Sequence, residues 1–154
     1  MKQNAQHTSH IEGRPKVFGI YVFDCGRCYI PDDWGNEPAC GIFLLTKYSN
    51  IIIDSMDMDG GEMIWNDAHE ATRASNRSLP NDYESVDILN KIERINVIMK
   101  QICGKEILGQ YWTEKQYYPM SGLFPKQAWS YNSDIGMCVD DKLNKHLVRA
   151  VRYF

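Results

Sequence analysis

Val86-Asp87-Ile88-Leu89-Asn90-Lys91-Ile92-Glu93-Arg94-Ile95-Asn96-Val97-Ile98-Met99-Lys100-Gln101-Ile102 carries the strongest periodic signal in the chain. Val86, Leu89, Ile92, Ile95, Ile98, Met99 and Ile102 recur at steps of three with a single step of one, which predicts one apolar helix face. Asn81 or Asp82 supplies an N-cap, and Gly104 a stop beyond the last periodic residue. Upstream, Ile64, Trp65, Ala68, Ala71 and Ala74 predict a shorter helix over Ile64–Ser75, closed by Asn76-Arg77-Ser78-Leu79-Pro80.

Strand patterns flank these helices on both sides. Gly41-Ile42-Phe43-Leu44-Leu45-Thr46 and Asn50-Ile51-Ile52-Ile53-Asp54 are continuously apolar, as strands buried on both faces are. Val17–Phe23 and Cys28–Ile30 surround the short turn Asp24-Cys25-Gly26-Arg27 and predict a hairpin. After Leu108, shorter runs return at Tyr111–Glu114, Ala128–Tyr131, Met137–Val139 and Leu147–Tyr153. Strands, two helices and then strands predict an α+β domain, with the helices packed on antiparallel strands. Residues 1–14 are polar, contain the protease-site string Ile11-Glu12-Gly13-Arg14 and are set aside as a tail, either vector-derived or native. Residues 15–154 read as one domain, with a strand-rich lead-in over 15–60.

The chain has 154 residues, 44% hydrophobic and 24% charged, enough for a core that needs neither disulfides nor metal. Its net charge of −3 gives no basic field for nucleic acid. No apolar run reaches the roughly 18–20 residues of a membrane span, and no leader-like apolar stretch opens the sequence. Cys25-Gly26-Arg27-Cys28 is half of a zinc or redox motif. A second ligand pair is missing, and extended chain follows where a thioredoxin-like site needs a helix. His69-Glu70 lacks the second His of a zincin. Asp54, Asp57 and Asp59 alternate like the start of a calcium loop without its closing Glu, and otherwise read as a solvated turn ahead of the helix. No catalytic residue and no metal ligand is assigned.

From residue 63 onward a set of landmarks occurs in order. Trp65-Asn66-Asp67-Ala68 is followed by Arg77-Ser78-Leu79-Pro80 with Glu84, then Tyr111-Trp112-Thr113-Glu114, Ala128-Trp129 and Val148-Arg149-Ala150-Val151-Arg152. This set resembles the domain named for the C-terminus of the Legionella collagen-like adhesin, abundant in Bacteroidetes and phage proteins. Two landmarks depart from that pattern, since Ser78 interrupts its Arg-Leu-Pro and Thr113-Glu114 shortens its Thr-Ser-Thr-Glu strand. The resemblance implies a C-type-lectin-like fold over 63–154, outside the cell, on its surface or on a virion. It implies ligand binding with no established catalytic residues. Calcium enters only because many lectins of this fold use it, and the residue patterns above are the ground for expecting no cofactor and no membrane insertion. Formylglycine-generating relatives use a paired-cysteine copper site, which Cys103 and Cys138 do not reproduce.

Lys115–Asp134 carries Tyr117, Tyr118, Met120, Phe124, Lys126, Tyr131, Asn132 and Ser133, with Pro119, Gly122 and Pro125 between them. Tyrosines present an apolar body with a polar tip, the chemistry of adaptable binding surfaces. Tyr117, Tyr118, Lys126 and Tyr131 are candidate ligand-binding residues on that chemistry. Asn132, Ser133, Lys142 and Asn144 join them as residues of the sort that vary in the diversified phage receptor-binders the resemblance brings in, on loops 115–134 and 140–146. The expected partner is a cell-surface glycan or protein, with oligomerisation open. The alternative is an assembly domain of a phage virion or surface appendage. Arg149 and Arg152, three apart on a strand, are expected to face opposite sides, one of them pairing inward with Glu84 or Glu114.

Overall fold

Gly41–Leu45 and Asn50–Asp54 are apolar throughout because they form the middle of a sheet covered on both faces. In the computed structural model, which describes residues 10–11, 19–119 and 125–154, nine strands and three α-helices follow one another. The strands are β1 (His10–Ile11), β2 (Ile20–Asp24), β3 (Arg27–Tyr29), β4 (Gly41–Leu45) and β5 (Asn50–Asp54), then β6 (Gln110–Tyr117), β7 (Gln127–Asn132), β8 (Gly136–Asp141) and β9 (Val151–Tyr153). Helices α1 (Trp65–Ala74), α2 (Asp82–Asn90) and α3 (Ile92–Gln101) lie between β5 and β6. The fold is α+β with two antiparallel sheets, of order β1-β3-β2-β4-β5-β9 and β6-β7-β8. Of the expected strands, Val17 and Phe18 lie outside the described residues. His10–Ile11, set aside with the tail, pairs with Cys28 and Tyr29.

The two faces of the large sheet are distinct. Val22, Ile42, Leu44, Ile51 and Ile53 meet Ile88, Ile95, Ile98, Met99 and Ile102 from the helices, joined by Tyr111 and Tyr131 from the small sheet. Phe23, Cys28, Phe43, Leu45 and Ile52 form a second cluster on the other face. Close strand approach is written into Gly41, where a Cβ would sit 2.2 Å from the Ile53 carbonyl oxygen.

The helix expected over 82–102 is two helices. A step of three residues falls about 60° short of a full turn, so a stripe built on threes rotates away from any fixed face. The chain breaks at Lys91 (φ −116°, ψ 15°), and each half then turns its own side inward. Ile88 is buried in α2, whereas Val86 is exposed. Asn81 is the N-cap of α2: its side chain accepts from the Glu84 amide at 2.8 Å while Glu84 accepts from the Asn81 amide at 3.0 Å.

The second sheet is fastened to α1 and to the segment before it. Trp65 Nε1 donates to the Thr113 carbonyl (2.9 Å), and Trp112 Nε1 donates to that of Met63 (2.8 Å). Trp65, Ala68, Leu79, Trp112, Ala128 and Val148 form a smaller core there.

Arg149 does face inward, with a partner other than Glu84 or Glu114. It is fully buried and its Nε donates to Asp57 at 2.9 Å. Its terminal nitrogens donate to the carbonyls of Asp54 (3.1 Å) and Lys105 (2.7 Å). Glu84 serves instead as cap and as acceptor for Ser49 and Tyr153. Replacing Arg149 by Met strands a buried carboxylate and several carbonyls, and should cost about 3–5 kcal/mol of unfolding free energy in urea titrations. Arg94→Met removes an exposed pair with Asp32 and should stay within about 0.5 kcal/mol.

Candidate functional site

One end of the small sheet gathers most of the expected binding residues. β6 runs further than expected, to Tyr117, because its register shifts between Trp112 and Gln116 where it pairs with β7. Tyr117 stands opposite Gln127, and Gln127 opposite Asp141, so the end of β6, the start of β7 and the end of β8 lie side by side. The connection from β6 to β7 is thereby reduced to residues 118–126, and its Met120, Gly122 and Phe124 lie outside the described residues. Tyr117 packs edge-on against Trp129 at 5.9 Å between ring centroids, which leaves Trp129 half-buried as a support. Tyr118 is 65% exposed and Lys126 is exposed beside it. The Lys142 amide donates to the Lys126 carbonyl at 3.0 Å, which brings the 141–145 turn and the exposed Asn144 to the same end. Lys142 Nζ lies 4.4 Å from the Trp65 ring centre and donates to Gln116, and burial lowers its pKa.

The remaining three candidates lie elsewhere. Tyr131 is corrected: it is fully buried and stacked on Tyr111 at 5.4 Å, on the side of β7 that meets the helices. Burial holds its hydroxyl far above the ordinary tyrosine pKa. Asn132 and Ser133 sit at the opposite end of β7, about 17–20 Å along a six-residue strand. Their side chains serve the fold. Asn132 Oδ1 accepts from the Asp134 amide at 2.8 Å, its amide nitrogen donates to Gln110, and Ser133 Oγ accepts from the Gly109 amide.

Behind the tip runs a polar chain of Ser130, Asp140 and His146. Ser130 Oγ donates to Asp140 Oδ2 at 2.9 Å, and His146 Nε2 lies 3.1 Å from the same oxygen. The carboxylate occupies the middle, so the imidazole cannot take the hydroxyl proton as a hydrolytic triad requires. Ser130 is also fully buried.

A cleft that the sequence reading missed opens where β5, β9 and the end of α1 meet. It measures about 680 Å³, with Cys40, Asp54, Ser55, Met56, Arg77 and Arg152 among its lining residues. Arg77 Nε donates to both Asp54 oxygens at 3.2 Å. Burial is the main influence on the Asp54 carboxyl and raises its pKa against the opposing pull of Arg77 and Arg152. Arg77 and Asp54 are far apart in sequence, so no spacing rule joins them; the Asp-rich turn was the only visible signal. In that turn Asp57 accepts from Arg149, Lys105 and Tyr111. A calcium ion there would have to displace two cations. Among the described residues, no group of three or more His, Cys, Asp or Glu is placed to hold a metal ion.

The Cys25-Gly26 turn has positive φ at both positions (48° and 79°), the two-residue hairpin form that matches strand twist. All five cysteines are free thiols; Cys25, Cys40 and Cys103 are exposed, and Cys28 is buried in the Phe23 cluster. Burial pushes the Cys28 thiol up to about 11, and Asp24 beside it raises that of Cys25. Native protein at pH 8 should therefore react with a disulfide reagent at the exposed Cys25, Cys40 and Cys103 well before Cys28. Cys28 favours the folded state while neutral in both states, so its contribution is complete below pH 9 and fades as the pH climbs toward 11. A urea midpoint that did not fall between those pH values relative to Cys28→Ala would contradict this.

The chain matches no model of a known protein family, and no curated protein matches it.

Proposed function

We propose that the chain is a non-enzymatic recognition module that grips a cell-surface glycan or protein with the sheet end bearing Tyr117, Tyr118, Lys126, Lys142 and Asn144. The observation that carries this reading is Tyr118, with most of its ring in solvent, next to a Tyr117 braced on Trp129. A braced ring and an open ring offer contact area at small entropic cost, and the two lysines add oriented donors. The landmark set of the adhesin C-terminal-type domain supports the same reading. On that resemblance the fold is C-type-lectin-like and the molecule works on a cell surface or virion. Its relation to Asn132 and Ser133 is dropped, because their side chains are engaged within the fold.

A second surface favours the assembly reading. Tyr48 and Tyr83 face each other at 5.1 Å with 68% and 61% of their surfaces exposed, and Tyr153 is half exposed nearby through its bond to Glu84. Three open tyrosines near the start of α2 suit a subunit contact in a virion or appendage.

Glycan arrays and pull-downs on intact bacterial cells test the first reading. The double variant Tyr118→Ala, Lys126→Ala should lose at least about tenfold in binding, with Ser133→Ala unchanged. Undiminished binding by the double variant overturns the proposed surface. Silence on arrays and cells, together with a defined oligomer by light scattering that Tyr83→Ala dissolves, assigns the assembly role instead.

A further inference from the structure

Arg149 and Arg152 stand three residues apart, yet their donors are used very differently. Each nitrogen of Arg149 has a partner inside the fold. The Arg152 guanidinium lies 5.0 Å above the Phe23 ring, on the opposite face of the large sheet, and lines the 680 Å³ cleft. Its side chain makes no hydrogen bond to any described residue, and its Nε is buried without an acceptor. The nearby carboxylate of Asp54 is already engaged by Arg77. A partly buried guanidinium with idle donors is costly unless something completes it.

We propose that this cleft binds a small oxyanion, a carboxylate or a phosphate, with Arg152 as its principal ligand and Arg77 beside it. Arginine is the side chain best shaped for such groups, because its planar fork meets two oxygens at once. The Arg152 guanidinium is already held over the Phe23 ring, so little further ordering is needed when an anion arrives. Three acids also line the cleft. Asp54 is neutralised by Arg77, and Asp57 by Arg149 and Lys105, which leaves Asp59 at the exposed rim as the one uncompensated negative charge. Met56, Met58 and Ala71 provide apolar wall for the rest of a ligand. The cavity falls within the range of about 300–1,000 Å³ common for small-molecule sites. This site is separate from the sheet end described above and does not depend on that reading.

The test is a titration of the ¹⁵N-labelled full chain with inorganic phosphate and, separately, with citrate. A saturable movement of the Arg152 Nε–Hε resonance, together with the Ser55 and Asp59 amides, is expected with at least one probe. Movement with phosphate alone or citrate alone names the oxyanion. Arg152→Gln should weaken that binding by at least about tenfold, while Arg94→Gln leaves it unchanged. Ala71→Phe, which fills the cleft and keeps both arginines, should abolish it and serves if Arg152→Gln does not fold. The proposal is overturned if neither probe gives saturable movement at Arg152, or if Ala71→Phe binds as the parent does.

Discussion

The structure depends on one buried guanidinium. Arg149 draws together three stretches that no regular element joins: the turn after β5, the segment after α3 and the run leading into β9. Carbonyls of Asp54, Lys105 and Glu106 turn inward to meet it, and burying them without this donor would cost each its hydrogen bond with water. Asp57 balances the charge, and Lys105 and Tyr111 hold Asp57 in place from the other side. Buried ionic clusters often add no more net stability than an apolar replacement of equal shape, and what this one supplies is directional bonds that tie the three segments together.

That arrangement explains how both candidate surfaces arise. Fixing the run before β9 sets β9 against β5, which places Arg152 over Phe23 and next to Asp54. The same run places Leu147 beside Tyr111, and this contact orients the small sheet whose far end carries Tyr117 and Tyr118. One surface is an open rim of tyrosine and lysine suited to a broad partner. The other is a recess with an unsatisfied guanidinium, suited to a small one.

Much of the architecture was legible locally. β4 and β5 declare themselves because a strand covered on both faces has no polar positions to blur the pattern, and the α2 cap is visible in Asn81 and Glu84. The break at Lys91 was not, since a three-residue repeat resembles a helix face over short windows and drifts only over longer ones. Tyr131 was misread for a related reason: alternation divides a strand into two sides without saying which meets the core. The bulge after Trp112 shifted the count again and hid the end of β6 inside an apparent loop. Arg149 was recognised as inward-facing, yet Asp57 is 92 positions away and no pattern on either segment announces the other. The Arg152 cleft was invisible for the same reason, being made by tertiary contact alone.

The pairing of β5 with β9 also bears on how the molecule comes into being. Its central sheet needs Ile51–Ile53 to wait for Val151–Tyr153, so the first half of a nascent chain carries an incomplete edge while the second half is still being made. Closing so long a loop precedes any reward from the contacts it brings, which slows maturation and leaves the apolar β4–β5 ribbon open to wrong neighbours in the interval. Vulnerability to aggregation should therefore be greatest during synthesis, and small once the last strand has docked.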